Sequence, residues 1–347
     1  MNIQTNISLS ALTTMKIGGN ANYVAHVTSR DELRQLYQNA LRLHQPIFIM
    51  GGGSNLIAHD EGYPGIIAKM EIPGIEVMRD DEATTTIRAG AGVIWDDLVK
   101  YSIEHNLTGI DAMSGIPGTV GGAPVQNIGA YGQELSDTFV SLDAYDILAD
   151  TFVEMNADYC DFSYRHSTFR GESQGKYVIL SVTLKLSKQL PQPPFYDSLQ
   201  KRFDQLGVTS FTPQIVRENV LAIRTEKLPD PSVIPNSGSF FKNVIIERWK
   251  LDEIRAGNPE APAYEMEEGL YKVPAGWLIQ ESNLRGEEID GFQVYDKNAV
   301  VLTNVSATTY KQLSRARKKI VGIVRDQFQI VLEQEPLELV PPTPDKK

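Results

Sequence analysis

Hydrophobic and polar positions along this chain change period several times, and the changes mark out its elements. From Ser29 to Gln45 apolar residues recur at helical spacing (Leu33, Leu36, Ala40, Leu41), with Ser29 placed as an N-cap. Pro46 to Met50 is a short apolar run of buried-strand type that stops at Gly51-Gly52-Gly53. Thr84 to Ala89 reads as a strand running into Gly90-Ala91-Gly92, and Val93 to Asn106 as the helix that follows. Tyr177 to Leu186 alternates apolar and polar residues, the pattern of a half-buried strand. Residues 188–213 are polar and proline-rich and read as an excursion, followed by a helix near Pro213 to Arg224. The next stretch, LPDPSVIPNSGSFFKN, carries three prolines that cannot continue a helix, and the main domain boundary is placed there. Beyond it helices are predicted at about 245–256, 275–282 and 307–327, with a strand near Gln329 to Leu332. The tail PPTPDKK reads as disordered. Periodicity alone leaves the sheet arrangement open, since a doubly wound parallel sheet fits it as well as a mixed one.

A chain of 347 residues exceeds what one core usually serves, so two or three domains are expected. The net charge of −11 disfavours a general nucleic-acid surface, which needs clustered Lys and Arg. A single cysteine, Cys160, excludes an internal disulfide and reads as a packed small hydrophobe. Five histidines show no ligand spacing, so no metal site is predicted. The first residues lack the pattern of a secretory signal, and no run of about 18 apolar residues suggests membrane insertion. The expected setting is cytoplasmic.

Chemistry gathers in two glycine-rich segments. Gly51-Gly52-Gly53-Ser54-Asn55 follows a strand directly, where glycine permits positive φ and close approach of backbone N–H groups to an anion. No Gly-Lys-Ser/Thr follows, and Leu56 stands where a dinucleotide fingerprint needs its last glycine, so a plain tight turn and an anion cradle both remain open. Ser114 to Gly132 holds six glycines and two prolines in 19 positions, with almost no charge. A flexible linker would be richer in Ser, Lys and Glu. Ile116, Val120, Val125 and Ile128 instead suggest a rigid, buried loop that packs against something flat. Buried irregular backbone needs hydrogen-bond partners, which a ligand can supply.

That segment resembles the IPGxVGGAPVQNIGAYG signature of the UDP-N-acetylenolpyruvoylglucosamine reductase family. Thr14-Met15-Lys16-Ile17-Gly18-Gly19, the GGGSN loop and Ala89 to Trp95 are similar to further family elements, in the same order. Phe162-Ser163-Tyr164-Arg165 resembles "FxYR", and Arg224 to Pro231 resembles "RxxKLPDP". Gly238 to Asn243 resembles "GSFFKNP", with Val244 where the proline usually stands. The likeness spans roughly residues 10–335. It implies an α+β fold: an FAD-binding domain of the vanillyl-alcohol-oxidase type in two subdomains (1–70 and 71–228), then an α+β substrate-binding domain (229–347).

The resemblance also implies NADPH-dependent, FAD-mediated reduction of UDP-N-acetylglucosamine enolpyruvate. Hydride reaches the vinyl carbon, leaving an enolic centre that needs a proton source and stabilisation of its carboxylate. Ser239 is the implied proton donor, with Arg165 and a C-terminal glutamate as stabilisers. Spacing from Ser239 favours Glu335 over Glu333 for that acid, which desolvation can keep protonated. The implied FAD contacts are Gly51, Gly52, Gly53, Ser54, Asn55, Ser114, Ile116, Pro117, Gly118, Gly121, Gly122, Asn127, Gly129, Ala130, Tyr131 and Arg224. Tyr196, Lys227, Asn243, Tyr264 and Asn298 are the implied UDP-sugar contacts. Two other readings compete: a different flavoprotein of the same fold, and a non-catalytic flavin or nucleotide-sugar binder. Many of the former attach flavin to His or Cys, and neither occurs in the glycine-rich segment.

Overall fold

The computed structural model describes residues 1–266 and 269–340, so the tail PPTPDKK lies outside the described residues. These residues form two compact units. The first comprises Met1–Ile7, Ala21–Gly53 and Pro64–Glu226, and the second Ser8–Asn20, Ser54–Tyr63 and the chain from Lys227 onward.

The first unit contains two principal sheets. One runs Asn2–Ser8, Asn20–Val27, Tyr63–Met70, Ile47–Met50, the last pair being parallel with Ile47 opposite Ile66. Against it packs the Arg30–Arg42 helix, started by Ser29, whose side chain accepts from the Glu32 N–H, and buried through Leu33, Leu36 and Ala40. The other sheet is a five-stranded antiparallel array in the order Thr151–Asn156, Phe139–Asp146, Tyr177–Ser187, Thr84–Gly90, Ile75–Asp80. This antiparallel array excludes a doubly wound sheet. Its central strand corrects the expectation of a half-buried element, because Val178 to Leu184 are all buried. Val178 and Leu180 enter one hydrophobic cluster, while Ile179, Val182 and Leu184 enter another. Both faces of its middle stretch are covered, so Ser181 and Thr183 are buried too, and Ser181 meets the need by donating to Asp143 Oδ2 at 2.8 Å.

The excursion at 188–213 contains a helix, Asp197–Leu206, which buries Leu199 and Phe203 and pairs with the Pro213–Lys227 helix in a small cluster. Pro191, Pro193 and Pro194 made the whole stretch look irregular, yet the apolar spacing resumes just after them.

The second unit holds an antiparallel sheet in the order Asn236–Ser239, Val301–Asn304, Phe292–Val294, Glu288–Ile289, and a three-stranded sheet in the order Val244–Glu247, Leu270–Val273, Tyr264–Glu265. Leu56–Ala58 pairs in parallel with Leu337–Leu339. The Tyr310–Phe328 helix starts in a capping box between Thr309 and Gln312 and buries Leu313, Ala316, Ile320, Val324 and Phe328. The helix expected from 245 begins only at Arg248, because Val244–Glu247 is taken into a strand. No strand forms at Gln329–Leu332; that segment leads to a single bridge between Gln334 and Phe241.

Candidate active site

In the first unit the two glycine-rich segments lie against each other. A Cβ on Gly51 would stand 2.5 Å from Thr119 Oγ1, and one on Gly52 would meet Gly118 Cα at 3.1 Å. Gly121 faces Ala91 equally closely, at 2.6 Å for a built Cβ, and its N–H donates to the Ala91 carbonyl. Gly53, Gly115 and Gly118 have φ of +70°, +71° and +122°, which side chains resist. Ser114 is fully buried and its hydroxyl donates to the Asp111 carbonyl, while Ile116 is half-buried and Pro117 and Gly122 are exposed. Gly129-Ala130 pairs with Gln133-Glu134 across a two-residue turn in which Tyr131 and Gly132 both have positive φ. The chain passes to the second unit after Gly53, so Ser54 and Asn55 belong there, where the Asn55 carbonyl accepts from the Leu337 N–H.

Arg165 sits at the tip of a turn closed by mutual backbone bonds between Ser163 and His166, with φ +53°. Left-handed backbone at a non-glycine residue persists only when its surroundings hold it. Here the holding is visible. Arg165 donates to the Gly129 carbonyl at 2.9 Å, the Ser167 hydroxyl to the Val125 carbonyl at 2.7 Å, and Arg170 to Gln126 at 2.8 Å. Asn127, buried and at φ +45°, donates to Glu134 Oε2 at 2.9 Å and accepts from the Ser136 N–H at 3.0 Å. The arginine is therefore indexed to the glycine-rich segment, although 36 residues separate it from Gly129.

Arg224 donates to the Gly115 carbonyl at 2.8 Å, and loss of water around its guanidinium lowers its pKa. Tyr131 meets Tyr196 edge-on, with ring centroids 6.0 Å apart. Both border a cavity of about 370 Å³, lined also by Asp111, Gln133 and Phe195. Burial pushes the Asp111 carboxyl up, against the opposing Gly109 N–H and Gln133 bonds.

In the second unit Ser239 ends its strand opposite Val301 and is half-buried. The segment Glu333–Glu335 lies antiparallel to Phe240–Lys242. The Glu335 N–H donates to the Phe240 carbonyl and the Lys242 N–H to the Glu333 carbonyl, each at 2.9 Å. The two acids part in exposure. The Glu333 side chain is 74% exposed and ion-paired to Lys242 at 3.3 Å, whereas Glu335 is only 9% exposed. Asn243 and Asn298 come together at the start of the Ala275–Glu281 helix, where Asn243 Oδ1 accepts from the Ala275 N–H at 3.1 Å. Asn298 Oδ1 lies 3.6 Å from a Cβ built on Gly276. Lys227 and Tyr264 are exposed. Ser239 and Glu335 thus share one unit, and Arg165 belongs to the other.

The first unit fits a flavin dinucleotide. Thr119 Oγ1 is buried with no hydrogen-bond partner among the described residues, and it stands where the two glycine segments meet. A buried hydroxyl left so is costly unless something else engages it. No sequence pattern marks Thr119, nor Asp96 and Arg217, which form an ion pair beside the same loop. An acidic side chain in the first turn of a helix is ordinary, so nothing local distinguished Asp96. Trp95 is buried and also donates its indole N–H to the Met113 carbonyl. Cys160 is fully buried, and burial pushes its thiol up to about 12.

Residues 21–151 match the FAD binding domain family, and residues 230–339 match the family of the UDP-N-acetylenolpyruvoylglucosamine reductase C-terminal domain. The chain is 38% identical over 336 residues to the UDP-N-acetylenolpyruvoylglucosamine reductase of Amoebophilus asiaticus (strain 5a2), covering 96% of this chain and 98% of the relative. It is 36% identical over 331 residues to that of Burkholderia orbicola (strain MC0-3), covering 95% of each. The crystal structure of UDP-N-acetylenolpyruvylglucosamine reductase from Thermus caldophilus has the same fold, with a TM-score of 0.65 at 22% identity over 97% of this chain and 99% of that one.

Proposed function

The chain belongs to the UDP-N-acetylenolpyruvoylglucosamine reductase family, and from this we propose that Ser239 delivers the proton of the reaction while Arg165 and Glu335 stabilise the enolic carboxylate. The protein is an FAD-dependent oxidoreductase of α+β fold that reduces UDP-N-acetylglucosamine enolpyruvate in the synthesis of peptidoglycan precursors, with NADPH as the family's hydride donor. The glycine-rich segments around Thr119 would hold FAD, which would supply the hydride-transfer chemistry between NADPH and the enolpyruvyl ether.

This chain's residues handle what hydride addition leaves behind. Negative charge spreads from the adjacent carbon into the carboxylate, so donors preset around that carboxylate lower the barrier most. Arg165 is one such donor, pre-aimed by its left-handed turn and its bond to Gly129. Glu335, buried, is the other. Proton transfer to the adjacent carbon then completes the lactyl ether, and a serine hydroxyl is small enough to reach that carbon. The observation that carries this reading is the pairing of Glu335 with Phe240, which stations a buried acid one residue from Ser239. The placement of Asn243 and Asn298 near one helix start supports their reading as UDP-sugar contacts. The glycine segments, with Thr119 between them, support the FAD contacts inferred from sequence. The proposal extends to a cytoplasmic setting and to the absence of nucleic-acid partners, for which a net charge of −11 is ill suited. Among the described residues no helix is long and apolar enough to cross a membrane.

Anaerobic stopped flow separates the two half-reactions. Ser239→Ala is expected to leave flavin reduction by NADPH close to wild type and to slow reoxidation by the enolpyruvyl sugar by about 10²–10⁴-fold, the range for loss of a general acid. Equal slowing of both half-reactions would remove Ser239 from that role.

A further inference from the structure

We propose that the Asp96–Arg217 ion pair is a positioning device that orients the Gly115 peptide for cofactor binding. The proposal rests on reading Ser114 to Gly118 as flavin-contacting. Arg217 grips Asp96 with two bonds, Nη1 to Oδ1 at 2.6 Å and Nη2 to Oδ2 at 2.8 Å. Asp96 Oδ1 also accepts from the Gly115 N–H at 2.7 Å. On the other side of the same residue, Arg224 holds the Gly115 carbonyl at 2.8 Å. Lys100 Nζ, 3.5 Å from Asp96 Oδ2, completes the charged surroundings of the carboxylate.

Peptide planarity turns these contacts into a statement about neighbours. In a trans peptide the C=O and N–H point in opposite directions. Fixing the Gly115 N–H therefore fixes the Ser114 carbonyl, and fixing the Gly115 carbonyl aims the Ile116 N–H away from Arg224. The flanks are tied as well. Trp95, the residue before Asp96, donates its indole N–H to the Met113 carbonyl at 3.2 Å and its backbone N–H to the Gly118 carbonyl at 3.0 Å. The first two residues of the Trp95–Glu104 helix thus hold Met113, Gly115 and Gly118 together. A side chain in place of the glycine would be strained, since φ is +71° and a Cβ would stand 2.8 Å from Leu221 Cδ2.

Desolvation offsets part of the attraction in a partly buried ion pair. A bidentate arginine–carboxylate contact is rigid, however, and its remaining acceptor capacity here goes to a loop N–H. Geometry is what this arrangement supplies best.

The test measures FAD affinity of the apoprotein by flavin fluorescence quenching, together with apoprotein melting temperature, for Asp96→Asn, Arg217→Met, Arg217→Lys and the Asp96→Asn/Arg217→Met double variant. Gly118→Ala serves as a control on the loop itself. Each single charge-removing variant is expected to weaken FAD binding by about 10- to 100-fold, the worth of a charge-assisted hydrogen bond. Arg217→Lys should recover part of that loss. In the Asp96→Asn background Arg217→Met should add nothing. Lower melting temperature with wild-type FAD affinity, while Gly118→Ala does weaken binding, would make the pair structural only and overturn the proposal. Additive losses in the double variant would overturn it too. If neither Asp96→Asn nor Gly118→Ala affects FAD, the flavin reading of the loop falls with it. Should Arg217→Met fail to fold, Asp96→Asn and Arg217→Lys decide the matter by the same affinities.

Discussion

Two glutamates two residues apart show what a single residue's surroundings decide. Sequence spacing favoured Glu335, but the pleat of a strand puts both acids on one side and cannot separate them. Burial does. Glu333 is solvated beside Lys242, while Glu335 lies under cover next to the strand that ends at Ser239. We expect Glu335→Gln to slow reoxidation by the enolpyruvyl sugar by about 10²–10³-fold, as loss of a charge-stabilising group does. Glu333→Gln should stay close to wild type. Stopped-flow traces with the opposite ranking would move the acid to Glu333. At this scale the motifs made Arg165 and Ser239 legible, because their neighbours in sequence are part of the pattern. Thr119, Asp96 and Arg217 were not legible, because what makes them notable is an unmet hydroxyl or a partner 121 residues away.

Elements were readable wherever a period was sustained. The Arg30–Arg42, Trp95–Glu104 and Tyr310–Phe328 helices fall inside their predicted spans, apart from the final residue of the last. The Asp197–Leu206 helix was hidden by its prolines, and the half-buried reading of Tyr177–Ser187 failed because only strand order reveals that both faces are covered. Glycines divide in the same way. Gly51→Ala should cost about 1–3 kcal/mol in chemical unfolding and reduce bound flavin, because its Cβ must displace Thr119. Gly257→Ala meets open space at a helix end and should leave stability unchanged or raise it slightly. Urea titrations that failed to distinguish the two would refute the contact between the glycine segments.

Across the whole molecule, charge sets how stability responds to acid. Burial alone would raise the Asp96 carboxyl, but bonds from Arg217 and the Gly115 N–H outweigh it and hold the pKa at about 2, below the ordinary 3.8. A depressed folded value contributes stability that is present above the unfolded pKa and is lost as pH falls through the folded one. That contribution is on the order of 2 kcal/mol. Between about pH 4 and 2 wild-type stability should therefore fall more steeply than that of Asp96→Asn. Parallel acid limbs in denaturant titrations would contradict it. Local sequence dictated most of the helices, the strands at Ile47–Met50, Thr84–Gly90 and Tyr177–Ser187, the glycine turns and the family, since periodicity, φ preference and motif order are properties of neighbouring residues. Only the tertiary structure decided which acid is buried and which carboxylate grips Gly115. It also decided that residues 8–20 and 54–63 join the C-terminal unit. Those outcomes depend on contacts between distant segments, and many pairings are compatible with one local pattern until a shared core selects among them.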